Sequence, residues 1–135
     1  MVTQIIYDSL AYNLGASFNL GTSTFTAPAT GLYNFAVGLG LSGGSGTGSR
    51  GYMQVVTSNR TYVLVNTSFA DLYWNAAGQS RRCGMGSDVY AAMTAGDTAT
   101  VELFGILAGG SPVITGSSST SVTGAINFFG GQRVS

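Results

Sequence analysis

The sequence predicts an all-β fold, and three observations carry that prediction. Bulky and small residues alternate along the chain, turn-forming residues recur at short and even intervals, and no stretch joins a 3.6-residue apolar period to helix caps. The clearest alternation lies in TFTAPATGLYNFAVGLGL, residues 24–41. From Tyr33 onward the odd positions hold Tyr33, Phe35, Val37, Leu39 and Leu41, and the even positions hold Asn34, Ala36, Gly38 and Gly40. Successive side chains of a strand point to opposite faces, so the odd set faces a core and the even set forms a nearly bare outer surface. A half-exposed strand normally shows water a row of charged or hydroxyl side chains. This one is expected to show its small face to another surface.

The remaining elements follow in order. The opening MVTQIIYDSLAYNLG reads as one or two strand pieces with a turn near Asn13, Leu14 and Gly15, and STFTAP (23–28) reads as a short strand. Pro28 and Gly31 bracket the turn that launches the long alternating segment. SGGSGTGSRG (42–51) reads as a flexible connector, because it lacks the Gly-Lys-Ser/Thr ending of a phosphate-cradling loop. GYMQVV (51–56) and TYVLVN (61–66) flank TSNR and predict a hairpin turning around Ser58 and Asn59. ADLYWNAAGQSRRCGMGS (70–87) reads as mostly irregular, with DLYW pairing briefly. DVYAAMTAGDTATVELFGIL (88–107) predicts a strand, a turn at Gly96 and Asp97, and a longer strand. AGGSPVITGSSSTSV (108–122) reads as a polar loop and VTGAINFFGGQRV (122–134) as the closing strand. Eight to ten short, evenly spaced strands in one domain spanning residues 1–135 predict a sandwich or jelly roll.

Composition narrows the function. Only 7% of the 135 residues are charged, against about 25% in an ordinary soluble domain, and the formal net charge is zero. Such a surface repels other copies weakly, which predicts assembly. All five cations are Arg, scattered and balanced by five carboxylates, so no phosphate-tracking stripe exists and nucleic-acid binding is not expected. No apolar run approaches the roughly 20 residues of a membrane span, and MVTQIIYDSL has neither the basic nor the apolar part of a secretory leader. Cys83 is the single cysteine, read as a small buried or half-buried side chain. Without His or Lys, neither a Ser-His-Asp relay, a Ser-Lys pair nor an imidazole metal site can be built. The acids are Asp8, Asp71, Asp88, Asp97 and Glu102, and Asp97 is read as a turn residue whose side chain bonds nearby backbone amides. No enzyme, catalytic residue, cofactor or metal site is expected. NRT (59–61) and NTS (66–68) match the glycosylation pattern at about chance frequency.

Three stretches carry a family resemblance. FTAPATGLYNFAVGL (25–39) matches a Phe-Thr-x-Pro-x-x-Gly-x-Tyr-x-Phe run, AAMTAGDTATVEL (91–103) a Gly-Asp strand pair, and SSTSVTGAINFF (118–129) a terminal strand. In that order they resemble the globular heads of complement component one-q and, more distantly, the tumour necrosis factor jelly rolls. The chain departs from that pattern in having Val122 where the terminal Phe is usual and in lacking a collagen stalk and a leader. The resemblance implies a ten-strand, two-sheet jelly-roll sandwich that forms a homotrimer around a threefold axis. Related heads sometimes hold calcium, but no residue here is singled out as a ligand.

These readings converge on a non-enzymatic structural protein of a virion: a trimeric decoration, or cement, protein on a bacteriophage capsid surface. It would be made in the host cytoplasm and held by the major capsid protein or another virion protein, with no nucleic acid and no membrane as partner. Candidate interface residues are Asn34, Ala36, Gly38 and Gly40, the aromatics Tyr73 and Trp74, and the pair Arg81 and Arg82, read as a loop pair able to anchor an acidic neighbour. The alternative is the receptor-binding tip of a phage tail fibre, recognising a host surface glycan or protein through loops 42–51 and 71–87. A secreted signalling ligand ranks third, because it requires export.

Overall fold

The computed structural model describes residues 2–5, 17–44, 50–68, 82–106, 110–114 and 128–135. Among these, ten strands form: β1 (Val2–Gln4), β2 (Phe18–Asn19), β3 (Thr24–Thr26), β4 (Gly31–Gly44), β5 (Arg50–Thr57), β6 (Thr61–Ser68), β7 (Arg82–Met93), β8 (Thr98–Ile106), β9 (Gly110–Ile114) and β10 (Phe128–Arg133). They make two antiparallel sheets packed as a sandwich. One runs β2-β3-β8-β5-β6, with β1 also pairing β8, and the other runs β10-β4-β7, with β9 also pairing β4. The all-β expectation therefore holds. No helix among the described residues is long and apolar enough to cross a membrane.

The alternation in β4 sets the core. Tyr33, Phe35, Val37 and Leu39 are each 0–1% exposed, and they meet Ile5, Phe25, Met53, Val55, Ala99 and Val101 from the other sheet. Aromatic rings fill the middle. Phe25 stands edge-on to Phe35 at 5.2 Å between centroids, and Phe129 lies nearly parallel to Phe35 at 5.6 Å. The buried Tyr33 hydroxyl is satisfied by donating to the Ala29 carbonyl, so its burial leaves no orphaned polar atom.

Both predicted tight turns form. The hairpin between β5 and β6 turns through residues 58–60, closed by Thr57, whose backbone amide and hydroxyl both donate to the Arg60 carbonyl. A register shift between Met53 and Gln54 marks a bulge that the sequence pattern had not indicated. At the β7–β8 turn the Thr94 amide donates to the Asp97 carboxylate at 2.9 Å, as read for Asp97, and Gly96 takes φ +91°. A Cβ on Gly96 would meet no atom within 4 Å, so the cost of a side chain there is conformational alone. Gly96→Ala is expected to lower the unfolding free energy by about 1–2 kcal/mol, measured by urea titration. An unchanged midpoint would mean that the turn relaxes to another form.

Three segments depart from the loop readings. Residues 42–44 and 50–51 belong to β4 and β5, which shortens the connector read over 42–51. Arg82 to Ser87, read as irregular, form the first half of β7, and Gly110 to Ile114, read as loop, form β9. The physical reason is the same in each. Gly-rich and Ser-rich stretches score as turns locally, but β4 supplies a complete ladder of partners, including Gly38 opposite Gly86 and Gly40 opposite Gly84. Pairing with a neighbour outweighs intrinsic preference. Pro112 falls where the β4–β9 register shifts, between Ser42 and Gly44, a bulge position at which a strand tolerates proline. The turn read at residues 13–15 lies outside the described residues.

Candidate functional site

The outer face of the four-stranded sheet is built by register. Antiparallel partners share a face, so the even residues of β4 bring their neighbours with them. Asn34 sits between Gln132 of β10 and Tyr90 of β7, Ala36 between Gly130 and Asp88, and Gly38 between Phe128 and Gly86. The result is a nearly bare trough along the sheet, with Ala36 half-buried and Gly38 buried. A Cβ on Gly130 would meet nothing within 4 Å, and on Gly86 only the Val37 carbonyl oxygen at 3.5 Å. At Gly130 and Gly86 the space above the sheet is therefore open. The rim of the trough carries Tyr90, 59% exposed, together with Gln132 and Asp88.

Electrostatics on this face are sparse. Among the described side chains Asp88 is its one carboxylate, and Asn34 Nδ2 donates to Asp88 Oδ2 at 3.2 Å. That bond ties β4 to β7 diagonally. Arg133, at the end of β10, turns its guanidinium to the Thr30 carbonyl at 3.0 Å rather than into the trough. The described carboxylates do not converge. Asp88 lies on the outer face of this sheet, Asp97 in a turn and Glu102 on the outer face of the other sheet, so no pair flanks one cleft at the about 5–10 Å that glycoside hydrolysis needs. Among the described residues no group of three or more Cys, Asp or Glu side chains stands ready for a metal ion.

Of the predicted residues, Asn34, Ala36, Gly38 and Gly40 share one strand and one face. Arg82 joins the same sheet as the first residue of β7, opposite Ser42, so it belongs to a strand and not to the loop read for it. Tyr73, Trp74 and Arg81 lie outside the described residues. The sequence reading missed Gly84, Gly86, Tyr90 and Gly130 as co-owners of the face. The signal was present for β7: in RCGMGSDVYAAM the odd positions carry Cys83, Met85, Val89 and Met93, and Gly84 and Gly86 fall on the even side. The run of glycines hid that alternation behind a loop-like composition.

A second feature lies between β6 and β7, the end strands of the two sheets among the described residues. Asn59, Arg60, Tyr62 and Ala92 line an open cleft of about 270 Å³ between β6 and β7. Val63, 54% exposed, stands on the same edge strand as Tyr62. Among the described residues β6 pairs with β5 alone, and its sequence carries neither charge nor proline to guard an edge. No known protein-family model matches the chain, and comparison with curated proteins finds no match.

Proposed function

We propose that the chain is a non-enzymatic structural protein of a virion, a homotrimeric decoration protein on a bacteriophage capsid, with its two sheets connected as a jelly roll. The observation that supports this reading is the nearly bare outer face of the four-stranded sheet, on which Asp88 at the rim is the one described charge. Small residues let a second backbone approach closely, and a chain of which only 7% of residues are charged has little charge to dehydrate when its surface is covered. Three copies arranged around an axis hide that face and leave the six-stranded sheets outward. Many trimers seated on the major capsid protein, or on another virion protein, then reinforce the shell through buried area alone, each stable contact removing roughly 1,200–2,000 Å² from water.

Native mass spectrometry of the purified chain is expected to give three times the 13.8 kDa chain mass, and sedimentation with empty shells is expected to carry the protein down. A monomer at micromolar concentration that leaves shells bare would refute the reading. Ala36→Arg places an unpaired guanidinium on the covered face, at a cost of several kcal/mol for each buried charge. It is expected to convert the trimer to monomers while leaving the unfolding midpoint of the isolated chain nearly unchanged, because Ala36 is only half-buried in one copy.

A further inference from the structure

The outer face of the six-stranded sheet carries a different surface. Register places Gln4, Glu102 and Gln54 in one row across β1, β8 and β5, and Val2, Phe104, Tyr52 and Asn66 in the next row on the same face. Met53, Val55 and Val101 alternate with them and are fully buried, so Tyr52, Gln54, Glu102 and Phe104 point away from the core. The row is preorganised. Gln54 Nε2 donates to Glu102 Oε2 at 3.0 Å, and Gln4 Nε2 donates to the Thr22 carbonyl at 2.9 Å. A carboxylate has about four acceptor sites. Among the described residues Gln54 is the only hydrogen-bond donor to Glu102, which leaves capacity for a ligand. Beside the row, Tyr52 and Phe104 stack at 5.0 Å and 8°, and the Tyr52 hydroxyl makes no hydrogen bond among the described residues.

The chemistry selects one class of occupant. Of the residues in these two rows Glu102 alone is charged, Arg50 standing in the next row of the face opposite Ile106, so an anion set on the polar row is repelled. A dry protein contact would strand the carboxylate at a cost of several kcal/mol. A neutral polyol avoids both penalties, because its hydroxyls donate charge-assisted hydrogen bonds to Glu102. Each hydroxyl both donates and accepts, which suits the adjacent amide groups of Gln54 and Gln4. The C–H side of a sugar ring is apolar and fits against the aromatic pair. Three strands at about 4.8 Å spacing make the polar row about 10 Å long, the scale of a mono- or disaccharide.

We infer that this face is a binding strip for neutral carbohydrate, with Glu102, Gln54 and Gln4 holding hydroxyls and Tyr52 with Phe104 holding the apolar side of the ring. The strip is complete in a single chain and does not rest on the assembly proposed above. Isotope-labelled protein titrated with neutral oligosaccharides of glucose, galactose and mannose tests it, with sialylated and sulfated oligosaccharides as anionic counterparts. At least one neutral sugar is expected to produce saturable shifts in the backbone amides of residues 52–54 and 102–104, and the anionic sugars are expected to bind more weakly. Glu102→Gln and Tyr52→Ala are each expected to weaken binding about tenfold, the effect of losing one hydrogen bond to a charged group or one ring contact. Val134→Ala, at the opposite end of the chain, is expected to leave affinity unchanged. The wild-type shift map stands even where a variant folds poorly. Absence of saturable shifts with every neutral sugar, shifts confined to other residues, or preference for the anionic sugars would overturn the inference.

Discussion

Phe35→Ala is expected to lower the free energy of unfolding by about 3–5 kcal/mol. Phe35 is fully buried, with Phe25 edge-on at 5.2 Å and Phe129 nearly parallel at 5.6 Å. Removing the ring therefore forfeits its transfer from water and leaves a cavity walled by other rings. Those rings sit on β3, β4 and β10, strands of both sheets, and their backbones are held by ladders that cannot move inward together. Collapse around the hole is restricted, which places the cost toward the upper part of the range. Urea unfolding followed by tyrosine and tryptophan fluorescence reads it directly. A loss below about 1 kcal/mol would mean that the aromatic cluster is not the centre of the core.

The second large effect is the reverse change, an added methyl group at Gly131. This residue pairs with Phe35 on the core-facing side of β10. A Cβ built there would lie 2.6 and 2.9 Å from two Phe35 ring carbons and 3.1 Å from a carbon of Phe25. Neither ring has room to retreat, because each is packed against the other. Gly131→Ala is therefore expected to cost about 1–3 kcal/mol by overpacking. The test is a double-mutant cycle. In a Phe35→Ala background the offending ring is gone, so the methyl group enters the vacated space and partly refills it. The double variant is expected to be more stable than the sum of the single changes predicts, by about 0.5–3 kcal/mol. Additive losses would show that Gly131 is needed for some reason other than the Phe35 ring.

Much of this architecture was legible without coordinates because it is local. In β4 the period of two separates Tyr33, Phe35, Val37 and Leu39 from Asn34, Ala36 and Gly38, and that separation alone assigns a core side and an outer side. The turns at residues 58–60 and at Gly96 and Asp97 were readable for the same reason, since their chemistry lies within four residues. The first half of β7 and all of β9 were not. Gly84, Gly86 and Gly110 give these stretches a loop-like composition that hides any alternation, and their extended conformation is maintained by β4, more than 40 residues away along the chain. The outer row of the six-stranded sheet was equally invisible. Gln4, Gln54 and Glu102 are ordinary polar residues in three separate segments, and only strand pairing sets them side by side.

By itself, then, the order of residues determined the all-β class, the apolar side of the central strand, the tight turns and a surface poor in charge. Each of these follows from steric and solvation preferences that act between near neighbours. The tertiary structure alone decided which strands lie together, that glycines from three strands pool into one bare trough, and that a lone carboxylate stands between two amides beside stacked rings. Hydrogen bonding between distant backbone segments made those choices, because every strand must find partners for its peptide groups and the register that buries the most apolar surface wins.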